Sequence, residues 1–176
     1  MQFERTRFTR LGKGGFGEVF RGNLRDRYHT PVAIKVIQIG SAEEWWEVQN
    51  EIHALRSLQH PNILSLLLEW EERDRSSLMY EWFLVSELAS GGDLETAMSD
   101  PHIHAWMRKR GHFQHVMKQV VHGLEYMHQK GFIHRDIKPS NILVMTANYD
   151  EGSSHPPKVK IADLGLTCYA SGKCKR

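Results

Sequence analysis

Covalent staples and membrane-spanning stretches are both scarce in this chain. Only two cysteines, Cys168 and Cys174, occur among its 176 residues. Two thiols make no disulfide framework for a chain of this size, which points to a reducing intracellular compartment, cytoplasmic or nuclear. No apolar run approaches the roughly 20 residues that cross a bilayer, and Met1-Gln2-Phe3-Glu4-Arg5 carries no secretory apolar core, so no membrane is expected. Charge of one sign is lacking too. The 23 Lys and Arg against 21 Asp and Glu leave a formal net charge of +2, too little to make nucleic acid the expected partner. Basic residues are dispersed except in Arg108-Lys109-Arg110 and at Lys173, Lys175 and Arg176, both read as solvated charge. The closest histidine pairs, His102/His104 and His112/His115, lack the Cys or acidic companions of a zinc site and read as surface residues.

What is present describes a folded chain. With 40% hydrophobic and 25% charged residues, its length suits one good core or two small lobes. Gly12, Gly14 and Gly17 form G-x-G-x-x-G between flanks that alternate in side-chain character, which predicts a strand–loop–strand hairpin. A dinucleotide-binding version needs a helix straight after the glycines. The strand-like continuation favours a loop whose bare backbone approaches phosphate oxygens, with a plain glycine-rich turn as the other reading.

Lys35 sits inside the β-branched run Val32-Ala33-Ile34-Lys35-Val36-Ile37, where an ammonium needs a route to water or an anionic partner. Ser41 and Glu44 make a capping box for a helix reaching to about Leu58, with Val48, Ile52 and Leu55 as its apolar stripe. Glu51 shares that face by spacing. Glu43, Glu44 and Glu47 are alternatives, better explained by the helix dipole. Strands are predicted at 64–70 and 78–85 around a charged hairpin loop at 71–77. A weak helical region at 93–110 breaks at Pro101, and an amphipathic helix runs from Phe113 to a stop at Gly131, with apolar residues at 116, 117, 120, 121, 124 and 127. Residues 146–157 read as an extended hairpin loop before a strand at 158–162.

Between the helix that stops at Gly131 and the 146–157 loop lies His134-Arg135-Asp136-Ile137-Lys138-Pro139-Ser140-Asn141, and Asp163-Leu164-Gly165 follows the 158–162 strand. Taken in order, the glycine loop, V-A-I-K, the H-R-D-x-K-P-x-N octet and D-L-G resemble the working parts of the eukaryotic-type protein kinases. Lys138 within Lys-Pro-Ser-Asn is similar to the serine/threonine branch. The resemblance implies an α+β, bilobal fold over 1–176: a small β-rich N-lobe with one helix at 1–87, then a hinge and an incomplete, mainly helical C-lobe at 88–176. It implies ATP and Mg²⁺ as cofactors and a protein substrate with a Ser/Thr hydroxyl.

By the same resemblance Asp136 is the catalytic base, and Lys138 stands near the transferring γ-phosphoryl. Lys35 pairs with the α- and β-phosphates and with Glu51, while Asn141 and Asp163 hold the metal. Leu11, Gly12, Gly14, Gly17, Val19, Ala33 and Leu143 surround the nucleotide. Backbone groups from Glu87 to Ala89 meet the adenine edge, Ser86 lies behind the adenine, and Asp93 receives the ribose. Leu55, His134 and Leu164 match a column of stacked side chains. Arg135 matches the residue that meets a phosphorylated partner, for which Thr167, Tyr169 and Ser171 are the candidates.

The match departs from the family at Leu164, where phenylalanine is usual, and after Gly165, where 166–176 hold no A-P-E motif. That ending implies a domain truncated after D-L-G. The second functional reading is a catalytically inactive fragment that binds nucleotide or a partner.

Overall fold

The computed structural model describes residues 9–14, 17–73, 79–108, 111–145 and 157–170. The tip of the hairpin loop before the 78–85 strand, most of the 146–157 loop, Ser171 and Cys174 lie outside the described residues. The chain divides into two compact units, Met1–Arg56 with Ser65–Leu88, and Ser57–Leu64 with Ala89–Arg176.

The first unit is an antiparallel sheet with one helix. Its strands are β1 (Thr9–Gly14), β2 (Gly17–Asn23), β3 (Pro31–Ile39), β4 (Leu66–Arg73) and β5 (Tyr80–Glu87), in the order β1-β2-β3-β5-β4. Alternation along β3 sends Val32 and Ile34 to one face, where they pack with Phe83 and Val85 and with the half-buried Leu24, Val36, Leu68 and Trp70. Trp70 stacks on Phe83 with ring centroids 4.9 Å apart. Burial of each such side chain stabilises the sheet by about 1.5–3 kcal/mol.

The other face of β3 carries Ala33, Lys35, Ile37 and Ile39, and helix α1 (Ala42–Ser57) covers it through Val48, Glu51, Ile52, Ala54 and Leu55. The capping box forms as its spacing predicts. Glu44 N donates to Ser41 Oγ at 3.2 Å, and Glu44 Oε2 accepts from Ser41 N at 3.0 Å and Gly40 N at 2.7 Å. These bonds, that from Gly40 foremost, hold the Glu44 carboxyl below its usual pKa. Strands β4 and β5 both begin and end two or three residues later than their sequence pattern suggests. Glu71, Glu72 and Arg73 read as loop because they are charged. They are strand because β5 supplies a ladder whose polar alternate positions face water.

Among the described residues the second unit contains α2 (Leu94–Ser99), α3 (Pro101–Met107) and α4 (His112–Gln129), two antiparallel strand pairs and two 3₁₀ turns. Pro101 separates α2 from α3 and sits in the first turn of α3, where its missing N–H costs nothing. Strands β7 (Ile142–Val144) and β8 (Val159–Ile161) pair antiparallel, as do β6 (Phe132–Ile133) and β9 (Cys168–Tyr169). Helix α4 buries Val116, Val120, Gly123 and Met127, a narrower stripe than its apolar periodicity suggests. Gly123 belongs to that stripe because a Cβ there would stand 2.8 Å from Ile161 Cδ1 and 3.0 Å from Asn62 O.

Residues 57–64 lie on the N-terminal side of the expected lobe boundary, yet their bonds tie them to the second unit. Leu64 N donates to Ile161 O at 2.8 Å, and Ile161 N to Asn62 O at 2.9 Å. Asn62 Nδ2 donates to Val159 O and to Gln119 Oε1, each at 3.0 Å. This buried carboxamide thus fastens β8 to α4.

Candidate active site

In the first unit the sequence candidates gather on the α1-facing side of the sheet. Val19 pairs with Lys35 across β2 and β3, so Val19, Ala33 and Lys35 share one face. Lys35 Nζ donates to both carboxylate oxygens of Glu51, at 2.7 and 2.9 Å, with side-chain exposures of 18% and 6%. Helical spacing favours Glu51 over Glu43, Glu44 and Glu47, and it is Glu51 that contacts Lys35.

Gly14 stands opposite Gly17 where the β1–β2 hairpin turns. Gly17 has φ +129°, and a Cβ there would lie 2.3 Å from Val36 O. Its smallness is therefore demanded by the neighbouring strand, whether or not a phosphate approaches. A Cβ at Gly12 would meet nothing within 4 Å, and Leu11 beside it is exposed. Glu87, at the end of β5, receives Ser65 N on its Oε1 at 3.2 Å.

In the second unit the octet folds around its own carboxylate. Lys138 Nζ donates to Asp136 Oδ2 at 2.8 Å, and Asn141 Nδ2 donates to the same oxygen at 2.9 Å and to Asp136 O at 2.8 Å. The Lys138 bond, followed by that from Asn141, holds the Asp136 carboxyl below the ordinary carboxylate range, and the same bond raises the Lys138 ammonium. Both bonds converge on Oδ2, so Asp136 Oδ1 is the oxygen left for a further donor. Asn141 spends its amide hydrogens on Asp136, which aims its own Oδ1 elsewhere.

His134 is the hub that sequence reasoning missed. It is buried, its Nε2 lies 2.9 Å from Ala162 O, and its Nδ1 accepts from Asp136 N at 3.2 Å. A ring that accepts at Nδ1 and donates at Nε2 is neutral, and burial pushes its pKa down accordingly. The resemblance gave His134 only a place in a stacked column with Leu55 and Leu164, not these two hydrogen bonds. Ala162 N donates to Asn141 O at 2.9 Å. The residue before Asp163 is thus bound on one side to Asn141 and on the other to His134, which brings the two expected metal ligands onto adjoining backbone. Asp163 itself has φ 59° and Arg135 φ 71°, left-handed positions where non-glycine residues store strain. Arg135 Nε donates to Leu166 O, fastening the octet to the 3₁₀ turn Leu164–Leu166.

The remaining candidates have local structural roles. Asp93 caps α2, accepting from Thr96 N at 2.8 Å and Thr96 Oγ1 at 2.9 Å. Asp93 also forms a β-bridge with the half-buried Leu143, and Ala89 O receives Gly92 N at 3.2 Å. Leu164 is fully buried, and no described helix is long and apolar enough to cross a membrane.

The pattern described as the protein kinase domain matches residues 5–175. The chain belongs to the protein kinase family. This kinase domain is 32% identical over 160 residues to calcium/calmodulin-dependent protein kinase type 1 of Macrobrachium nipponense, covering 89% of this chain and 41% of that protein. It is also 32% identical to the human serine/threonine-protein kinase ULK1 over 171 residues, 96% of this chain and 15% of that one. The putative cysteine-rich receptor-like protein kinase 31 of Arabidopsis thaliana is 35% identical over 167 residues, 92% of this chain and 22% of that protein. The chain therefore spans less than half the length of these relatives. Its fold is that of a partial protein kinase domain, a β-rich N-lobe with one helix followed by a partial helical part.

The oxygen donors of Asn141 and Asp163 suit a hard divalent metal of the kind the family uses. Two oxygen donors from Asn141 and Asp163, completed by water and phosphate, match the hard, sparsely ligated chemistry of Mg²⁺.

Proposed function

We propose that this domain transfers the γ-phosphoryl of Mg-ATP to serine or threonine hydroxyls of a protein, inside the cell. The observation that carries this reading is the Asp136 carboxylate, held at one oxygen by Lys138 and Asn141 and ionised well below neutral pH. Bound Mg-ATP would supply the transferable phosphoryl group and a divalent charge to offset its oxygens.

The chain's own part is positioning and charge. Asp136 Oδ1 accepts the hydrogen bond of the incoming hydroxyl and orients its lone pair, and it stands ready to take the proton. Lys138 keeps that carboxylate charged and presents an ammonium close by. Glu51 fixes the position of Lys35 Nζ, whose ammonium would meet phosphate oxygens. Asn141 Oδ1 and the Asp163 carboxylate would hold the metal. The similarity to proteins named as serine/threonine kinases supports the choice of hydroxyl.

The test has two arms. Mg-ATP raises the thermal midpoint of the protein, and Lys35→Met and Asp163→Ala abolish that rise. Radiolabelled phosphate passes to a generic protein substrate, and Asp136→Asn lowers the rate by about 10²–10⁴. Stabilisation without transfer sinks the enzyme and leaves the nucleotide-binding module. A folded protein that ignores Mg-ATP sinks both.

A further inference from the structure

Strand β8 delivers Asp163, yet little in its own sequence fixes where it lies. It has three residues and joins β7 through residues 145–158, not through a two-residue turn that would dictate the register. Its side-chain pattern also repeats. Lys158-Val159 precede Lys160-Ile161, so a slip of two residues would seat Val159 in the place of Ile161 and Lys158 in that of Lys160. Pro157 would take the place of Val159. Apolar would replace apolar, and Asp163 would move roughly 7 Å along the strand.

On the edge of β8 away from β7, side chains meet the backbone first. Half-buried Gln119, on α4, accepts from Val159 N at 3.0 Å through Oε1, and its Nε2 donates to Pro157 O at 2.8 Å. Oε1 also accepts from Asn62 Nδ2 at 3.0 Å, and the same Nδ2 donates to Val159 O at 3.0 Å. Further along, Asn62 O accepts from Ile161 N at 2.9 Å and Leu64 N donates to Ile161 O at 2.8 Å. The Gln119 amide has one orientation here, since its nitrogen turned toward Val159 N would set donor against donor. Its bond to Val159 N also discriminates between registers. In the slipped one Pro157, which has no N–H, would face Gln119 Oε1 and leave it without that donor. A slip the other way would press Asp163 into the fully buried place of Ile161.

We propose that Gln119 is a positioning residue for the phosphoryl transfer proposed above, on which this role rests. Its bond to Val159 N sets the register of β8. In that register Ala162 N reaches Asn141 O at 2.9 Å, which places Asp163 beside the other metal ligand.

Equilibrium dialysis with radiolabelled ATP, at a low temperature where circular dichroism shows each variant folded, gives the Mg²⁺ concentration for half-maximal binding. Gln119→Leu keeps the bulk and removes the bonds, and it raises that concentration about tenfold while ATP still binds at saturating Mg²⁺. In the same variant hydrogen exchange of the Val159 amide quickens and that of α1 does not. A loss of stability alone would leave the Mg²⁺ requirement of the folded protein unmoved. If Gln119→Leu does not fold, Gln119→Glu decides with a smaller rise, because it keeps an acceptor for Val159 N and sets an oxygen against Pro157 O. An unchanged Mg²⁺ requirement in the folded variant, or a Val159 amide that exchanges no faster, overturns the proposal. Wild-type protein that binds no ATP at any Mg²⁺ concentration overturns the nucleotide reading instead, and this role with it.

Discussion

Replacing Lys35 by methionine keeps the length of the side chain and removes its charge from a pair whose acidic member is almost fully enclosed. Glu51 is 4% exposed and receives two hydrogen bonds from Lys35 Nζ, at 2.7 and 2.9 Å. Removing one partner of a buried pair costs about 3–5 kcal/mol, because the carboxylate left behind loses its counter-charge without regaining water. The 18% exposure of the Lys35 side chain admits some solvent, which brings the cost to or below the low end of that range, about 2–3 kcal/mol. For a domain of this size each kcal/mol moves the thermal midpoint by roughly 2–4 °C, so a fall of about 4–12 °C is expected without nucleotide. Glu51→Gln costs less, since a neutral carboxamide tolerates burial better than an unpaired ion. The decisive assay is the double-mutant cycle by urea unfolding of Lys35→Met, Glu51→Gln and the pair, with an expected coupling of about 1–3 kcal/mol. Additivity within about 0.5 kcal/mol would refute the reasoning, for it would mean that each group is satisfied without the other.

Three other outcomes are expected. Gly17→Ala destabilises by about 1–3 kcal/mol in urea unfolding, because its Cβ would lie 2.3 Å from Val36 O at φ +129°, whereas Gly12→Ala, which meets nothing within 4 Å, lowers stability by less than about 1 kcal/mol. Stability falls on acidification through His134: its folded pKa lies below the unfolded value of about 6.5, so its contribution is complete above that pH and is lost as pH drops toward the folded pKa. A urea midpoint measured at pH 7.5 and 5.5 shows that loss, and a His134→Gln variant shows less of it. Ser41→Ala removes the acceptor of Glu44 N and lowers stability by about 0.5–2 kcal/mol, read as a drop in thermal midpoint.

How much of this was readable in advance depends on the range of the interaction. The octet from His134 to Asn141 is legible because its side chains meet across two to five residues, a distance the local backbone dictates. Helix α1 is legible for the same reason, with a capping box at one end and a 3.6-residue period along it. Asp93 was assigned from resemblance to a ribose contact, and the structure adds a helix cap whose signal, an aspartate three residues before Thr96, was present but unused. The charged run at the end of β4 misled because its polarity is a property of the residues, while strand pairing is a property of what lies beside them.

The sequence by itself determined the family, the order of the elements and the chemical identity of each candidate residue, since motif spacing and side-chain period are written along the chain. Only the tertiary structure decided the two-oxygen geometry by which Glu51 meets Lys35, why Gly17 must lack a side chain, and that Asn62 fastens β8 to α4. It alone also decided that His134 binds both the Asp136 amide and the carbonyl before Asp163. Apart from the bond between His134 and the Asp136 amide, those are contacts between segments 16 to 97 residues apart. Burial and hydrogen-bond satisfaction choose such partners, and neither exists until the segments have packed.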